Sequence, residues 1–64
     1  MENKIAKRLI KLRGKKKQKE VAEKIGITTS ALSNYETGLR IPRDEVKIKI
    51  AKFYGKSVDD IFFK

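Results

Sequence analysis

The chain has no cysteine, no histidine and no tryptophan, and only one proline and one methionine. Without cysteine there is no disulfide and no thiolate metal site. Without histidine the usual zinc sites are gone as well, along with Cys- or His-based nucleophilic and acid–base catalysis. No apolar run approaches the ~20 residues needed to cross a bilayer, and the N-terminus, MENKIAKRLIKLRGKKK, lacks the apolar stretch of a secretory signal. The expectation is a cytoplasmic protein with no cofactor and no metal. Acidic side chains are also scarce, 8 Asp and Glu against 17 Lys and Arg in 64 residues, a formal +9. An excess of that size implies a polyanionic partner or a very soluble surface. Residues 1–64 make one small domain, near the lower limit at which a core holds without disulfides or metal.

What the sequence does have is concentrated between Gln18 and Thr37, QKEVAEKIGITTSALSNYET. Val21 and Ile25 are four apart and share a helical face, and Ala22 beside them is small enough for a second helix to approach closely. Gly26 can enter the left-handed conformation that commonly ends a helix, with Ile27 folding back over the turn. Thr28 is then an N-cap candidate for the next helix, which Leu32 and Tyr35 seat on the same core. Thr29, Ser30, Ser33 and Asn34 remain outside. Two short helices crossing steeply about a glycine turn are what a helix-turn-helix requires.

The positive charge flanks this segment. Residues 1–17 carry eight basic side chains and only Glu2, a net +7; residues 18–36 come to −1; residues 37–55 to +3; the last nine cancel. Such a layout suits basic neighbours that hold phosphates while an uncharged helix touches base edges. Two simpler readings stand beside it. Lys4, Lys7, Arg8 and Lys11 can be the solvated side of an amphipathic first helix built on Ile5, Leu9 and Leu12. A membrane surface would also attract Lys15, Lys16 and Lys17, but the apolar face of residues 5–12 is short, has no aromatic residue and is needed by the core.

The remaining punctuation predicts an all-α domain of five helices. The first runs from about Asn3 to Arg13 and breaks at Gly14, the second from Gln18 to Ile25, and the third from Thr29 to about Glu36. The loop from Thr37 through Gly38 and Leu39 to Pro42 precedes a fourth helix, opened by Arg43, Asp44 and Glu45 and ended by Gly55. The apolar arc of that helix (Val46, Ile48, Ile50, Ala51, Phe53, Tyr54) is wide, so it is expected to be central to the core or shared with a second subunit. Ser57-Val58-Asp59-Asp60 reads as an N-cap with an acidic first turn, opening a last short helix that ends in Ile61-Phe62-Phe63.

In order and spacing, Gln18, the VAEKIGIT run from Val21 to Thr28, Leu32, YETG from Tyr35, Pro42, IAKFYG from Ile50 and SVDDIFF from Ser57 resemble the Cro/lambda-repressor-like (XRE-type) helix-turn-helix family. The resemblance covers roughly residues 5–63. It implies a compact five-helix DNA-binding domain, acting as a homodimer on a roughly palindromic operator with the third helices in successive major grooves about 34 Å apart. It also implies that Thr29, Ser30 and Asn34 contact bases, with Ser33 reaching the groove or backbone from the same face. Gln18 falls where the family bonds a phosphate and braces the third helix. The backbone around Thr37 and Gly38, with Arg40 and Arg43, matches its phosphate-binding loop. Lys17 departs from the pattern, standing where Ser or Thr normally caps the second helix, and with Gln18 it suggests a phosphate clamp.

The partner expected on this reading is double-stranded DNA, with no membrane and no small-molecule ligand. A repressor is the simplest role for a domain with no sensor or activation segment. An antitoxin or antirepressor-type protein-binding module on the same fold is the alternative, and nothing forms a catalytic constellation that would make an enzyme. Adjacent Phe62 and Phe63 cannot both enter one small core. One is expected inward and the other, with Phe53 or Ile61, at a dimer interface. The clamp has a direct test. Lys17→Ser restores a cap worth roughly 1 kcal/mol and removes a cation from the positive end of a helix dipole; it is expected to raise the melting temperature yet weaken DNA binding, and unchanged affinity would dismiss the clamp.

Overall fold

The computed structural model describes residues 4–64. Its elements are α1 (Lys4–Arg13), α2 (Gln18–Ile25), α3 (Thr29–Thr37), α4 (Asp44–Tyr54) and a last five-residue helix, α5 (Asp59–Phe63), wound as a π-turn. There is no strand among the described residues. Asn3, the expected start of the first helix, lies outside them. The other boundaries agree with expectation to within a residue, except at the C-terminus, where the helix begins after Val58 rather than Ser57.

The chain reverses between α2 and α3 through a left-handed glycine. Gly26, at φ +92°, donates its N–H to the Ala22 carbonyl at 2.9 Å, and Ile27 donates to the same oxygen at 3.0 Å. Ile27 then packs, half-buried, on the core. A Cβ built on Gly26 would meet nothing within 4 Å, so the constraint there is backbone conformation and not space. Thr28 caps α3 as its position suggested, its Oγ1 accepting from the Ala31 N–H at 3.0 Å. Arg43 stands in the N-cap position of α4 without a side-chain cap, and Asp44 and Glu45 fill the first turn.

The core draws on every helix: Leu9 from α1, Val21, Ala22 and Ile25 from α2, Leu32 from α3, Ile50 and Ala51 from α4, and Ile61 and Phe62 from α5. α3 packs against both α1 and α2, α4 against α2, and α5 against α1. On α4 the buried side follows the i, i+4 spacing of Val46 and Ile50, continued by Phe53 and Tyr54, and it leaves Ile48 about half exposed on the opposite side. The wide apolar arc is therefore only partly used within one chain.

At the C-terminus Phe62 turns inward and Phe63 outward, as steric reasoning required. Ile61 corrects the expectation that it would be available to a partner, because its side chain is 1 % exposed and fills the core. The last turn packs on α1, where Arg8 Nη1 donates to the Ile61 carbonyl at 3.1 Å, and this docking carries the Ile61 side chain into the core. Ser57 accepts from the Asp60 N–H at 3.0 Å and anchors the start of the turn. Lys47 lies over both rings, its Nζ 5.7 Å from the Phe62 centroid and 4.9 Å from that of Phe63.

Burial separates two isoleucines on one helix. Ile50→Val is expected to cost about 0.5–1.5 kcal/mol, and Ile48→Val less than about 0.5 kcal/mol. Urea unfolding of the two variants checks this, and equal losses would contradict the core assignment.

Candidate nucleic-acid interface

The third helix divides into two stripes. Leu32 and Glu36, four apart, face inward and are buried. Ser30, Asn34 and Thr37, at i, i+4 and i+7, run along the opposite side, with Thr29 and Ser33 next to them. Thr29, Ser30 and Thr37 are exposed, and Ser33 and Asn34 are half-buried. All are small and uncharged, so the outward surface of α3 offers hydroxyls and one carboxamide and no cation.

Glu36 was not anticipated as a site residue, and at 3 % exposure it is the buried charge among the described residues. Its carboxylate joins three helices. Oε2 accepts from Arg13 Nε at 2.8 Å, and Oε1 accepts from Gln18 Nε2 at 2.9 Å. Arg13 ends α1, Gln18 begins α2, and Glu36 lies one residue from the end of α3. The same guanidinium donates from Nη1 to the Lys16 carbonyl at 2.6 Å, so it also holds the α1–α2 turn. Two clues to this arrangement lay in the periodicity. Arg13 is four residues after Leu9, and Glu36 four after Leu32, each a charge on an otherwise apolar stripe.

The electrostatics follow from hydrogen bonding at Arg13 and from burial at Tyr54. The hydrogen bond to Glu36 raises the pKa of Arg13. The Tyr54 phenol is pushed up to about 12, first by burial and then by the negative charge of Glu36, with Arg13 acting in the opposite direction. Its hydroxyl is buried without a hydrogen-bond partner among the described residues.

The expected phosphate contacts divide into free and engaged groups. Lys17, Arg40 and Arg43 are exposed, and Lys17 holds the extended N-cap conformation of α2 with no side-chain cap bond. The Lys16 ammonium lies 5.6 Å from the Phe53 centroid, over the ring. The Gln18 carboxamide gives one N–H to Glu36. Thr37 Oγ1 donates to the Asn34 carbonyl at 3.3 Å. The Gly38 amide closes the helix on the Tyr35 carbonyl, and the Arg40 amide returns to the Asn34 carbonyl. The amides of Gly38 and Arg40 are thus spent in ending α3, whereas that of Leu39 has no hydrogen-bond partner among the described residues. Of the residues expected at a dimer interface, Phe63 is 64 % exposed, Phe53 is half-buried edge-on to Tyr54 at 5.1 Å, and Ile61 belongs to the core. The described residues contain no cluster of side chains able to hold a metal and no helix long and apolar enough to cross a membrane.

Two helices joined at a left-handed glycine, the second presenting a polar stripe and braced from behind, define a helix-turn-helix protein. A family model described as helix-turn-helix matches residues 5–61. The chain belongs to that family, in its Cro/lambda-repressor-like, XRE-type form. Over 47 residues, 73 % of its length, it is 40 % identical to the HTH-type transcriptional regulator ImmR of Bacillus subtilis (strain 168) and covers 37 % of that protein. Over 45 residues, 70 % of its length, it is 36 % identical to an uncharacterized HTH-type transcriptional regulator of Methanocaldococcus jannaschii, covering 68 % of it. The chain therefore spans little more than a third of the bacterial relative. No solved structure matches it.

The orphaned Tyr54 hydroxyl sets an alkaline limit. Between the ordinary phenol value of 10.0 and about 12 the unfolded chain releases this proton and the folded chain keeps it. Stability is therefore lost as pH rises through that window and is fully retained below it. Tyr54→Phe is expected to match or exceed the wild type at neutral pH, since an unpaired buried hydroxyl is removed, and to lose less on going to about pH 11. Thermal melts of both proteins check this, and a parallel decline would assign the alkaline loss to other groups.

Proposed function

We propose that the chain is a sequence-specific double-stranded DNA-binding transcriptional regulator, a repressor acting as a homodimer with α3 in the major groove of each half-site. The observation that carries this reading is the uncharged outward stripe of α3, Thr29, Ser30, Ser33, Asn34 and Thr37, set between exposed cations at Lys15 and Lys17 before it and Arg40 and Arg43 after it. The cations neutralise phosphates, and the stripe meets base edges. Both relatives above carry the name of HTH-type transcriptional regulators, which agrees with it.

The chemistry of the stripe narrows the operator. Without Arg or Lys, α3 cannot read guanine O6 and N7 in bidentate fashion, whereas Asn34 can pair with adenine N6 and N7, and Thr29 can meet a thymine methyl. Contacted half-site positions are therefore A·T, with DNA shape supplying part of the selectivity. The size of the domain argues for two copies. Its longest extent is 26 Å, short of the ~34 Å between successive major grooves on one face of the duplex. Phe63, exposed beneath Lys47, is the apolar surface for the second copy.

In vitro selection from random duplexes tests the assignment. Enriched half-sites are expected to be A·T-rich, and affinity to fall about 10³- to 10⁵-fold between low and moderate salt if six to ten phosphates are neutralised per dimer. G·C-rich half-sites would contradict the base contacts, and absence of enrichment would contradict sequence-specific binding. For the dimer, Phe63→Ser is expected to shift sedimentation equilibrium toward monomer, and an unchanged distribution would place the interface elsewhere.

A further inference from the structure

We propose, on the reading of the chain as a DNA-binding protein, that the outward side of α1 is a second, sequence-independent site for duplex DNA, turned away from the groove that α3 enters. Lys4, Lys7 and Lys11 form it.

The three lysines lie on one line of the helix. At spacings of three and four residues they share a side, and all three are exposed. Ala6 and Leu9 are buried on the opposite side. The other cations of α1 are engaged within the domain, Arg8 with the Ile61 carbonyl at 3.1 Å and Arg13 with Glu36. The helix carries no acidic residue, and neither Lys4 nor Lys11 has an ion-pair partner among the described residues. Such a line is unfavourable to the helix itself, because like charges three and four apart repel and Lys4 stands at the positive end of the dipole. Solvation alone needs only polar side chains, and glutamine or glutamate would supply it without that repulsion. Three lysines and no carboxylate point to an anionic partner.

The fold sets this line apart from the reading helix. α1 and α3 pack directly on each other. α3 turns Leu32 and Glu36 inward, and Glu36 meets Arg13 of α1, so the outward sides of the two helices point away from each other. The domain measures 26 × 23 × 22 Å. A duplex lying on α3 is therefore about two Debye lengths, each ~10 Å at 0.1 M, from the lysine line, which adds little to holding it.

The spacing fits a phosphate strand. Lys4 and Lys11 are about 10 Å apart along the axis at about 1.5 Å per residue, and a DNA strand carries a phosphate about every 3.4 Å, so three ammonium groups lie against about three phosphates. Lysine is a hydrated point charge on a flexible stem, suited to a backbone of any sequence. A membrane is a poorer occupant, because the exposed apolar surface of α1 is one half-exposed side chain, Ile10, and the helix has no aromatic residue. A domain built this way holds two duplex segments at once and can pass from one to the other without leaving DNA.

The test compares the wild type with the triple variant Lys4→Gln/Lys7→Gln/Lys11→Gln. Glutamine is a good helix former and the changes relieve like-charge pairs, so the fold is retained. Each protein is loaded on a bead-bound mixed-sequence duplex of about two helical turns, long enough to occupy both third helices of a dimer, and is then offered a fluorescent duplex at low salt. The loaded wild type is expected to retain the second duplex, with a salt slope close to −3. The variant is expected to bind the first duplex with the wild-type salt slope and to retain about tenfold less of the second per protein loaded. Equal retention by the variant would overturn the second site, and a first-duplex slope shallower by about three would return these lysines to the reading surface. Polyglutamate that displaces the second duplex as well as unlabelled DNA of equal charge does would reassign the face to an acidic protein. A wild type that binds no duplex overturns the functional reading; one that loads on the first duplex and retains no second overturns this inference alone.

Discussion

The structure depends on one buried carboxylate. Desolvating Glu36 is costly unless its charge is both paired and hydrogen-bonded, and Arg13 and Gln18 supply one bond to each oxygen. Such a pair contributes little net stability beyond what packed apolar side chains would give in its place, but breaking it by removing one partner costs about 3–5 kcal/mol. That is a large share of the stability available to a domain of this size. Its specific contribution is direction. Apolar packing tolerates sliding of one helix on another, whereas a carboxylate with two directional donors from two other helices permits one arrangement.

Around that fixed point the remaining structure is economical. Five helices share a core of short aliphatic side chains and one phenylalanine, and left-handed glycines end α2, α3 and α4, so that connections stay short. The same economy shapes the surface. The end of α3 is sealed by the Gly38 and Arg40 amides. The frame behind it is carried by Glu36, on the side of the helix that does not face outward.

Much of the fold was legible in the chain because its signals are local. The Val21–Ile25 spacing, the glycine at 26, the cap at Thr28 and the break at Gly14 each act within one or two turns, and all appear where the pattern placed them. The features that escaped are nonlocal or geometrically unusual. Arg13 and Glu36 are 23 residues apart, and neither reveals its partner; their only mark is a charge on an apolar stripe. Ile61 was expected, as an alternative to Phe53, at a dimer interface, and the docking of the final turn on α1 places it in the core beside Phe62. The outward positions on α3 were readable from periodicity, but the fate of the Gly38 amide could be known only from where the helix actually closes.

The uncharged stripe of α3 has a thermodynamic consequence. In the proposed binding mode, ionic attraction is supplied by residues that would grip any duplex, cognate or not, so counterion release enters both binding modes almost equally. The free-energy gap between them comes from short-range contacts to base edges and from DNA deformation. Salt then governs how much of the protein is on DNA, while the preference for the right site over the wrong one is nearly independent of ionic strength. On the proposed assignment of contacts, occupancy and selectivity are separate quantities, carried by different side chains.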